Sequence, residues 1–228
     1  ISYRKKNVCF VEDFDFKKNK GQISAIEIFD NGEYKILGRC IEESFHLSFP
    51  FVFKFEDQLY MCPETKNANS INIYKCINFP LEWKHHKVIF KNISAVDPMI
   101  FNFKETWWLL FTTGYNKTTD HNSRLFVYNS QNPINNTWQP ITINPFYNDS
   151  RLSRNAGIIF KNNKVFRINQ KHKAGFYGSD FSINEILELN KNIFKENPIA
   201  SKIDKKIPFK YSHHYNSNNL FEVFDFIY

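Results

Sequence analysis

Short apolar runs of strand length recur along the chain, and polar turns join them in pairs. The stretch "FPFVFKFEDQLYM" from Phe49 and the stretch "DPMIFNFKETWWLLF" from Asp97 share a proline, an apolar run, a polar tip and a second apolar run. A third copy, "NAGIIFKNNKVFRI", begins at Asn155, and a weaker fourth, "HYNSNNLFEVFDF", begins at His214. Polar tips such as "EDQ", "KET" and "KNNK" are typical of hairpin turns, so each copy predicts a β-hairpin.

The spacing of these copies indicates the architecture. They begin at intervals of 48, 58 and 59 residues, and two more strand candidates lie between copies, for example "SINIYKC" and "EWKHHKVIF". Four strands in a period of about 50 residues are typical of a β-propeller blade. One period before Phe49, "NVCFVEDFDFKKNKGQISAIEIF" supplies the later strands of a first blade that lacks its innermost strand. We therefore predict an all-β, five-bladed β-propeller in which residues 1–228 form a single domain.

One segment fits a helix as well as a strand. In "FSINEILELN", residues 181–190, the isoleucines and leucines can form one apolar helical face after Ser182 as N-cap. The competing interpretation is another blade strand followed by a loop. We predict that the helix content is small and confined to this segment.

The composition agrees with a β-rich protein and restricts its location. Of 228 residues, 25 are Phe and 11 are Tyr, and aromatic side chains suit a pleated, half-buried surface. No apolar run of about 18 residues occurs, and the opening "ISYRKKNVCF" lacks the apolar core of a secretory signal. We therefore expect no membrane insertion and a cytoplasmic location. Because the first residue is Ile, we expect the chain to be part of a longer polypeptide.

Charge and motifs exclude several classes of function. The net charge is +7, but the lysines are scattered through polar loops, so we expect no nucleic-acid partner. The four cysteines show no CxxC spacing and no matched histidine pair, which predicts free thiols and no metal site. Phosphate-loop, G-x-S-x-G and H-E-x-x-H motifs are absent from the sequence, and we expect no cofactor.

The repeat itself predicts where a site lies. The innermost strand of each blade runs along the propeller axis, so residues at its start crowd one mouth of the channel. Phe49, Asp97, Asn155 and His214 occupy these starts. Glu64 ends the second strand of its copy just after Pro63, which stops ladder pairing, and we expect Glu64 to face the same mouth. The alternative is that Glu64 merely caps a turn.

Several stretches, read in order, carry a family resemblance over nearly the whole chain. They are "FHLSFPFVFKFEDQLYMCPET", "FPLEW", "VDPMI", "SRNAGIIF", "YGSDFSINEI" and "SHHYN". Together they resemble the domain at the front of plant glucosamine inositolphosphorylceramide transferases, which also occurs in bacterial proteins beside formyltransferase-like or glycosyltransferase domains. That domain is similar to the five-bladed propeller superfamily of arabinanases, levansucrases and invertases, whose enzymes use acidic residues from successive blades around an axial pocket.

The resemblance implies a carbohydrate ligand and acidic site residues. Glycoside hydrolysis needs two carboxyl groups. Here Glu64 and Asp97 form the candidate catalytic pair, with Glu12 or Asp13 in reserve. The first-blade Asp of the hydrolases has no counterpart because that strand is missing, and Phe49 replaces the second-blade Asp.

Further polar residues are candidates for substrate binding. Arg154 can bind a carboxylate or phosphate with two parallel hydrogen bonds. The other candidates for recognition of sugar hydroxyls are His46, Asn155, Gln170, Tyr177, His213 and His214. We expect Glu64, Asp97, Arg154 and one of the two adjacent histidines to share one polar pocket.

Two hypotheses for the function follow. The first is a carbohydrate-active domain resembling glycoside hydrolases, which binds or processes a glycan. The second is a non-catalytic glycan-recognition module that serves an attached glycosyltransferase or formyltransferase domain in glycan biosynthesis. The missing first-blade Asp favours the module, whereas the presence of Glu64, Asp97 and Arg154 in register favours a working site.

Overall fold

The computed structural model describes residues 1–114, 123–135, 137–173, 176–199, 212–218 and 220–225, with side chains for all of these except 172–173 and 176–179. By its contacts, the chain divides into two compact units. Unit 1 comprises Ile1–Trp108 and Ser130–Trp138, and unit 2 comprises Leu109–Asn129 and Gln139–Tyr228.

The chain is an all-β protein made of consecutive antiparallel sheets, four of which are propeller blades. The first blade has the order β1 (Ser2–Tyr3), β2 (Lys6–Asp15), β3 (Lys20–Ile28), β4 (Tyr34–Ile41). The second has the order β5 (Ser48–Phe55), β6 (Gln58–Glu64), β7 (Ser70–Asn78), β8 (Glu82–Lys91). A short 3₁₀ helix, Lys66–Ala68, joins β6 to β7.

The third and fourth blades continue the pattern. The third contains β9 (Val96–Phe103), β10 (Thr106–Thr113), β11 (Arg124–Ser130) and β12 (Gln139–Pro140), and β13 (Tyr147–Asn148) also pairs with β11. After the single-turn helix α1 (Ser150–Ser153), the fourth blade has the order β14 (Asn155–Lys161), β15 (Lys164–Lys173), β16 (Phe176–Leu189), β17 (Phe194–Ile199). Strands β18 (Tyr215–Ser217) and β19 (Glu222–Phe224) form a separate two-stranded sheet.

The prediction of a propeller is confirmed, but the number of blades is four, not five. In the described residues, the predicted fifth blade consists only of β18 and β19, whose three residues each allow few ladder hydrogen bonds. The first blade is more complete than predicted, because β1 supplies a two-residue strand beside β2.

The predicted hairpins are present at the predicted turns. Lys104–Glu105 and Asn162–Asn163 all have positive φ, as the central residues of the hairpin turn of type I′ require. Glu56, in the first predicted turn, also has a positive φ of 53°. The strand starts also agree with the repeat: β5, β9 and β14 each begin within one residue of the predicted start.

The helix predicted in residues 181–190 is wrong, since this segment belongs to β16 and pairs with both β15 and β17. A β-bulge between Ile186 and Glu188 shifts the alternation of buried residues. The bulge places the buried Leu189 three residues after the buried Ile186. Because Ile183 is buried as well, the three positions have a spacing of three, which imitates a helix. The described helices are α1 and the 3₁₀ turn at Lys66–Ala68.

Each unit has an apolar core. In unit 1, Ile23, Leu47, Leu59, Met61 and Tyr74 are buried together between the first two blades. In unit 2, Ile159, Ile168, Phe181, Ile183 and Tyr215 form a second cluster. Residues beside the starts of the inner strands, such as Leu47 and Tyr215, are thus fixed by core packing.

Candidate functional site

Two positions recur in the blades, and several of the candidate residues lie at them. The first, the inner-strand position, lies seven residues before the hairpin turn and is occupied by Phe49, Asp97 and Asn155. The other is called the second-strand position. It is the seventh residue of the strand that follows the inner strand in each blade. It is occupied by Glu12, Glu64, Thr112 and Gln170. The candidate residues Glu64 and Gln170, and the reserve Glu12, are therefore structural equivalents.

The predicted catalytic pair lies together in unit 1. The backbone N–H of Asp97 donates a hydrogen bond to Glu64 Oε2 at 3.2 Å, and both residues are buried. Asp97 and its equivalent Phe49 have φ values of 49° and 45°, in the left-handed region that costs a non-glycine residue of order 1–2 kcal/mol. In β5 this conformation coincides with a β-bulge between Ser48 and Phe51, and bulges redirect side chains near functional sites.

The contact between Glu64 and Asp97 has a counterpart in another blade. Thr112 Oγ1 donates to the carbonyl oxygen of Ser153, two residues before β14, at 2.8 Å. In each case the second-strand side chain holds the backbone at the start of the next inner strand. Glu64 therefore has a structural role as a linker between successive blades, whatever its chemical role.

Glu12, the equivalent residue of the first blade, contacts the imidazole of His46 in the segment that leads into the next inner strand, β5. Its Oε1 lies 3.5 Å from Nε2 of His46, just before β5. The ring's Nδ1 accepts from the N–H of Gly21 at 2.8 Å, so the neutral ring carries its proton on Nε2. Burial, together with the positive charge of Lys66, lowers the pKa of His46 below its ordinary value of 6.5.

Gly21 is a close neighbour of Glu12 and His46 that the sequence prediction missed. A Cβ at this position would clash with the carbonyl oxygen of Leu47, and it would lie 2.7 Å from Glu12 Oε1 and 2.8 Å from His46 Cε1. Glycine is required here because these three groups approach its Cα too closely for any side chain. In the sequence, the only indication was a glycine near the start of a predicted strand.

The reserve carboxylate Asp13 lies elsewhere. Successive side chains of a strand point to opposite faces, so Asp13 faces away from Glu12 on β2. Its Oδ2 accepts from the Ser24 hydroxyl at 2.8 Å and lies 3.8 Å from Arg39 Nε. Asp13 is thus part of an exposed charged face and does not join the candidate site.

In unit 2, Asn155 and Gln170, the equivalents of Asp97 and Glu64, contact each other. Gln170 Nε2 donates to the carbonyl oxygen of Asn155 at 2.9 Å, and both side chains are buried. Arg154 follows α1 as its C-cap, and its carbonyl oxygen accepts from the N–H of Gln170 at 2.9 Å. The side chain of Arg154 is partly buried.

A buried ion pair, which the sequence prediction missed, supports Asn155. Arg167 donates through two nitrogens to Glu196, at 2.7 and 2.8 Å, and the two side chains are 0% and 3% exposed. Arg167 Nη1 also donates to Asn155 Oδ1 at 3.1 Å. Burial, with the negative charge of Glu196, raises the pKa of the adjacent Tyr147. An arginine between Phe166 and Ile168 was the only signal in the sequence.

The adjacent histidines are held by a carboxylate that was also missed. The backbone N–H groups of His213 and His214 donate to Asp225 Oδ1 at 2.9 and 2.7 Å, and Nδ1 of His213 contacts Oδ2. Burial is the largest influence on the pKa of Asp225 and raises it, but the hydrogen bonds from His213 and from the backbone outweigh burial and lower it. Tyr177 lies in β16, and its side chain is outside the described residues.

The structure thus brings the candidate residues together in small groups. Unit 1 holds Glu64 with Asp97, and His46 with Glu12. Unit 2 holds Asn155 with Gln170. The single pocket that would combine Glu64, Asp97 and Arg154 with a histidine stays a prediction.

Among the described residues, no group of three or more His, Cys, Asp or Glu side chains has a geometry that could hold a metal ion. All four cysteines are free thiols, and burial raises the pKa of Cys40 to about 12. The described residues also contain no helix long and apolar enough to cross a membrane.

The fold is shared with solved propeller enzymes that act on sugars. It aligns with a family 32 β-fructofuranosidase of Bombyx mori with a TM-score of 0.65 and 13% identity, covering 96% of this chain and 52% of that one. A family 117 glycoside hydrolase from Zobellia galactanivorans gives 0.62 and 12%, covering 88% and 67%. An α-L-arabinanase of Cellvibrio cellulosa, solved with arabinohexaose, gives 0.62 and 11%, covering 86% and 75%. The chain is therefore a β-propeller with the fold of glycoside hydrolases.

Within this class, the chain belongs to the family described as "Glucosamine inositolphosphorylceramide transferase 1, N-terminal", whose profile matches residues 4–223. It is 34% identical over 181 residues to glucosamine inositolphosphorylceramide transferase 1 of Arabidopsis thaliana, covering 78% of this chain and 23% of that protein. The protein of the same name from Oryza sativa subsp. japonica is 29% identical over 200 residues, covering 86% and 26%. The chain spans about a quarter of the length of these curated relatives.

Proposed function

We propose that this domain is a glycan-recognition module that binds a sugar without cleaving it and serves a transferase region of the same polypeptide. The observation that carries the proposal is the state of the two candidate acids. Glu64 and Asp97 are both buried, and Glu64 accepts a hydrogen bond from the backbone of Asp97. A general acid or base must come within hydrogen-bonding reach of the substrate's proton. The carboxylate of Glu64, which is buried and joins successive blades, is poorly suited to that task.

The family membership supports the attached transferase. The curated relatives are named transferases, and this chain covers only 23% to 26% of their length. Their name contains an amino sugar, glucosamine, and an inositol-containing phospholipid, inositolphosphorylceramide. Glucosamine and inositol are therefore the first ligands to test.

The residues proposed to contact the glycan are polar side chains at or near the recurring positions. Arg154 supplies a guanidinium for a phosphate or for hydroxyl oxygens. The proposed hydrogen-bonding contacts are His46, Asn155, Gln170, Tyr177 and one of His213 and His214. Asp225 acts as a positioning residue in this scheme, because it holds the backbone of the two histidines.

A second candidate function is glycoside hydrolysis, with Glu64 and Asp97 as the catalytic pair. The observation in its favour is that these two acidic residues adjoin each other, whereas they are 33 positions apart in the sequence. Glycosidases place two carboxyl groups on either side of the scissile bond. The fold shared with several glycoside hydrolases is compatible with this alternative.

A glycan array followed by calorimetry and a hydrolysis assay on every hit separates the two candidates. The module predicts binding without release of a reducing sugar, and it predicts that Glu64→Gln leaves this result unchanged. Release of sugar by the wild-type protein that disappears in Glu64→Gln would replace the module with the hydrolase. If neither this chain nor the longer polypeptide binds any glycan, both candidates are wrong.

A further inference from the structure

One face of β2 changes from core to exposed surface along its length. Alternate residues of a strand share a face, so Phe10, Glu12 and Phe14 point the same way. Phe10 packs in the core, with its ring centroid 5.4 Å from that of Trp83. Towards the end of the strand the burial is lost: Phe14 is 36% exposed, and Phe16, the first residue of the turn, is 88% exposed.

The two exposed phenylalanines form one aromatic surface. Their ring centroids are 5.2 Å apart in an edge-to-face arrangement. Because Phe16 is 88% exposed at a hairpin tip, its ring buries little apolar surface on folding and is accessible to a ligand. The ring of Phe14 is also 6.2 Å from that of His46, which places a polar group directly beside the aromatic surface.

The polar group beside the aromatic surface is formed by His46, a hydrogen-bond donor, and Glu12, an acceptor, in a fixed orientation. Because Gly21 donates to Nδ1 of His46, the neutral ring presents Nε2–H as a donor. The Glu12 carboxylate lies 3.5 Å from that nitrogen, and both side chains are partly exposed. A sugar hydroxyl both donates and accepts, so this pair complements a hydroxyl group at the edge of a sugar ring.

We propose that Phe14, Phe16, His46 and Glu12 form a subsite for a pyranose ring on the first blade. The aromatic rings contact the apolar C–H face of the sugar, and His46 and Glu12 bind its hydroxyl groups. Ligand sites typically combine aromatic walls with a few oriented polar groups in this way. The subsite rests on the proposed glycan-binding function and assigns it to particular residues.

A lipid surface is the rival occupant, because Lys17 and Lys18 lie beside Phe16. The surrounding charges argue against it. Lys18 is paired with Glu42 at 2.7 Å, and Asp15 accepts from the backbone of the tip. An anionic bilayer would be repelled by these carboxylates and by Glu12, whereas a neutral sugar or a cationic amino sugar would not be.

Titration of the folded chain with methyl β-glucopyranoside and methyl β-glucosaminide tests the subsite. Phe16→Ala should weaken binding about two- to tenfold, since aromatic contacts contribute about 0.5–1.5 kcal/mol. Glu12→Gln and His46→Gln should weaken it about tenfold, as expected for hydrogen bonds to a charged or polar partner. The matched controls are Phe29→Ala, an exposed aromatic at the opposite end of β3, and Glu33→Gln, which should both bind like the wild type.

The possible outcomes separate the subsite from the function. If the wild type binds one of these sugars and the Phe16, Glu12 and His46 variants bind it equally well, the subsite is wrong and the glycan-binding function stands. If the wild type binds no sugar on the array or in titration, both are wrong. Cosedimentation with phosphatidylserine vesicles that is lost in Phe16→Ala, with sugar affinity unchanged, would assign the aromatic surface to a lipid and overturn the subsite.

Discussion

The backbone N–H of Asp97 donates to the carboxylate of Glu64 at 3.2 Å, and this bond joins the second strand of one blade to the inner strand of the next. Thr112 makes a comparable contact one blade later, with the carbonyl oxygen of Ser153. In both places a polar side chain forms a hydrogen bond with a buried backbone group where the chain enters a new blade. Such bonds are needed because an unpaired buried backbone group costs folding free energy.

Replacement of Glu64 should therefore affect stability through hydrogen bonding. Glu64→Gln retains an oxygen that can accept from Asp97, so its free energy of unfolding should stay within about 1 kcal/mol of the wild type. Glu64→Ala leaves the N–H of Asp97 buried without this acceptor and should cost about 1–3 kcal/mol. Urea denaturation followed by tryptophan fluorescence measures both values. Equal stability of Glu64→Ala and the wild type would contradict the linking role.

The ion pair between Arg167 and Glu196 should contribute to stability mainly when one partner is removed. Both side chains are nearly fully buried, so Arg167→Met leaves an uncompensated carboxylate and should cost about 3–5 kcal/mol. The double variant Arg167→Met, Glu196→Leu should recover much of this loss, because an apolar pair can replace a buried ion pair. A double-mutant cycle in urea measures the coupling. Additive losses would show that the two residues act independently.

Much of the fold could be predicted from the sequence because a blade repeats local signals. Turn residues between two apolar runs identify the hairpins, and their spacing identifies the blades. The blade number could not be read in this way, because the last copy, near His214, contains apolar residues but forms strands of only three residues. The bulge in β16 could not be predicted from the sequence either, because a shift in register is determined by how the strand pairs with its neighbours.

Candidate residues could be chosen from the sequence only where residue type and repeat position agreed. Glu64, Asp97 and Asn155 became candidates because each stands at a recognisable point of its copy. Thr112, the equivalent of Glu64, was missed because a threonine in an apolar strand carries no chemical signal. Gly21 and Asp225 were missed for a different reason: their importance comes from contacts with residues 25 and 12 positions away.

His46 should make stability depend on pH in the mildly acidic range. Its pKa is lowered in the folded protein, so the unfolded chain binds more protons below its ordinary pKa of 6.5. By linkage, the stabilising contribution is complete above that value and is lost as the pH falls towards the folded-state pKa. The difference in unfolding free energy between the wild type and His46→Gln, measured by urea denaturation between pH 7.5 and about 5, should therefore decrease. Taking the difference removes the similar contribution of His86, whose pKa is also lowered. A difference independent of pH would contradict a partly buried, neutral ring.

Arg154 offers the sharpest test of the proposed glycan contacts, because the same short helix supplies its control. Arg151 is exposed and paired with Asp149 at 2.6 Å, whereas Arg154 is partly buried at the C-terminal end of α1. Arg154→Ala should weaken binding of the array hits about tenfold, the loss expected for a charge-assisted hydrogen bond. Arg151→Ala removes the same charge three residues away and should bind like the wild type.

Calorimetry with both variants distinguishes a specific contact from a general loss of positive charge, which would weaken both equally. Unchanged affinity in Arg154→Ala would remove Arg154 from the site, since its carbonyl bond to Gln170 does not depend on the side chain.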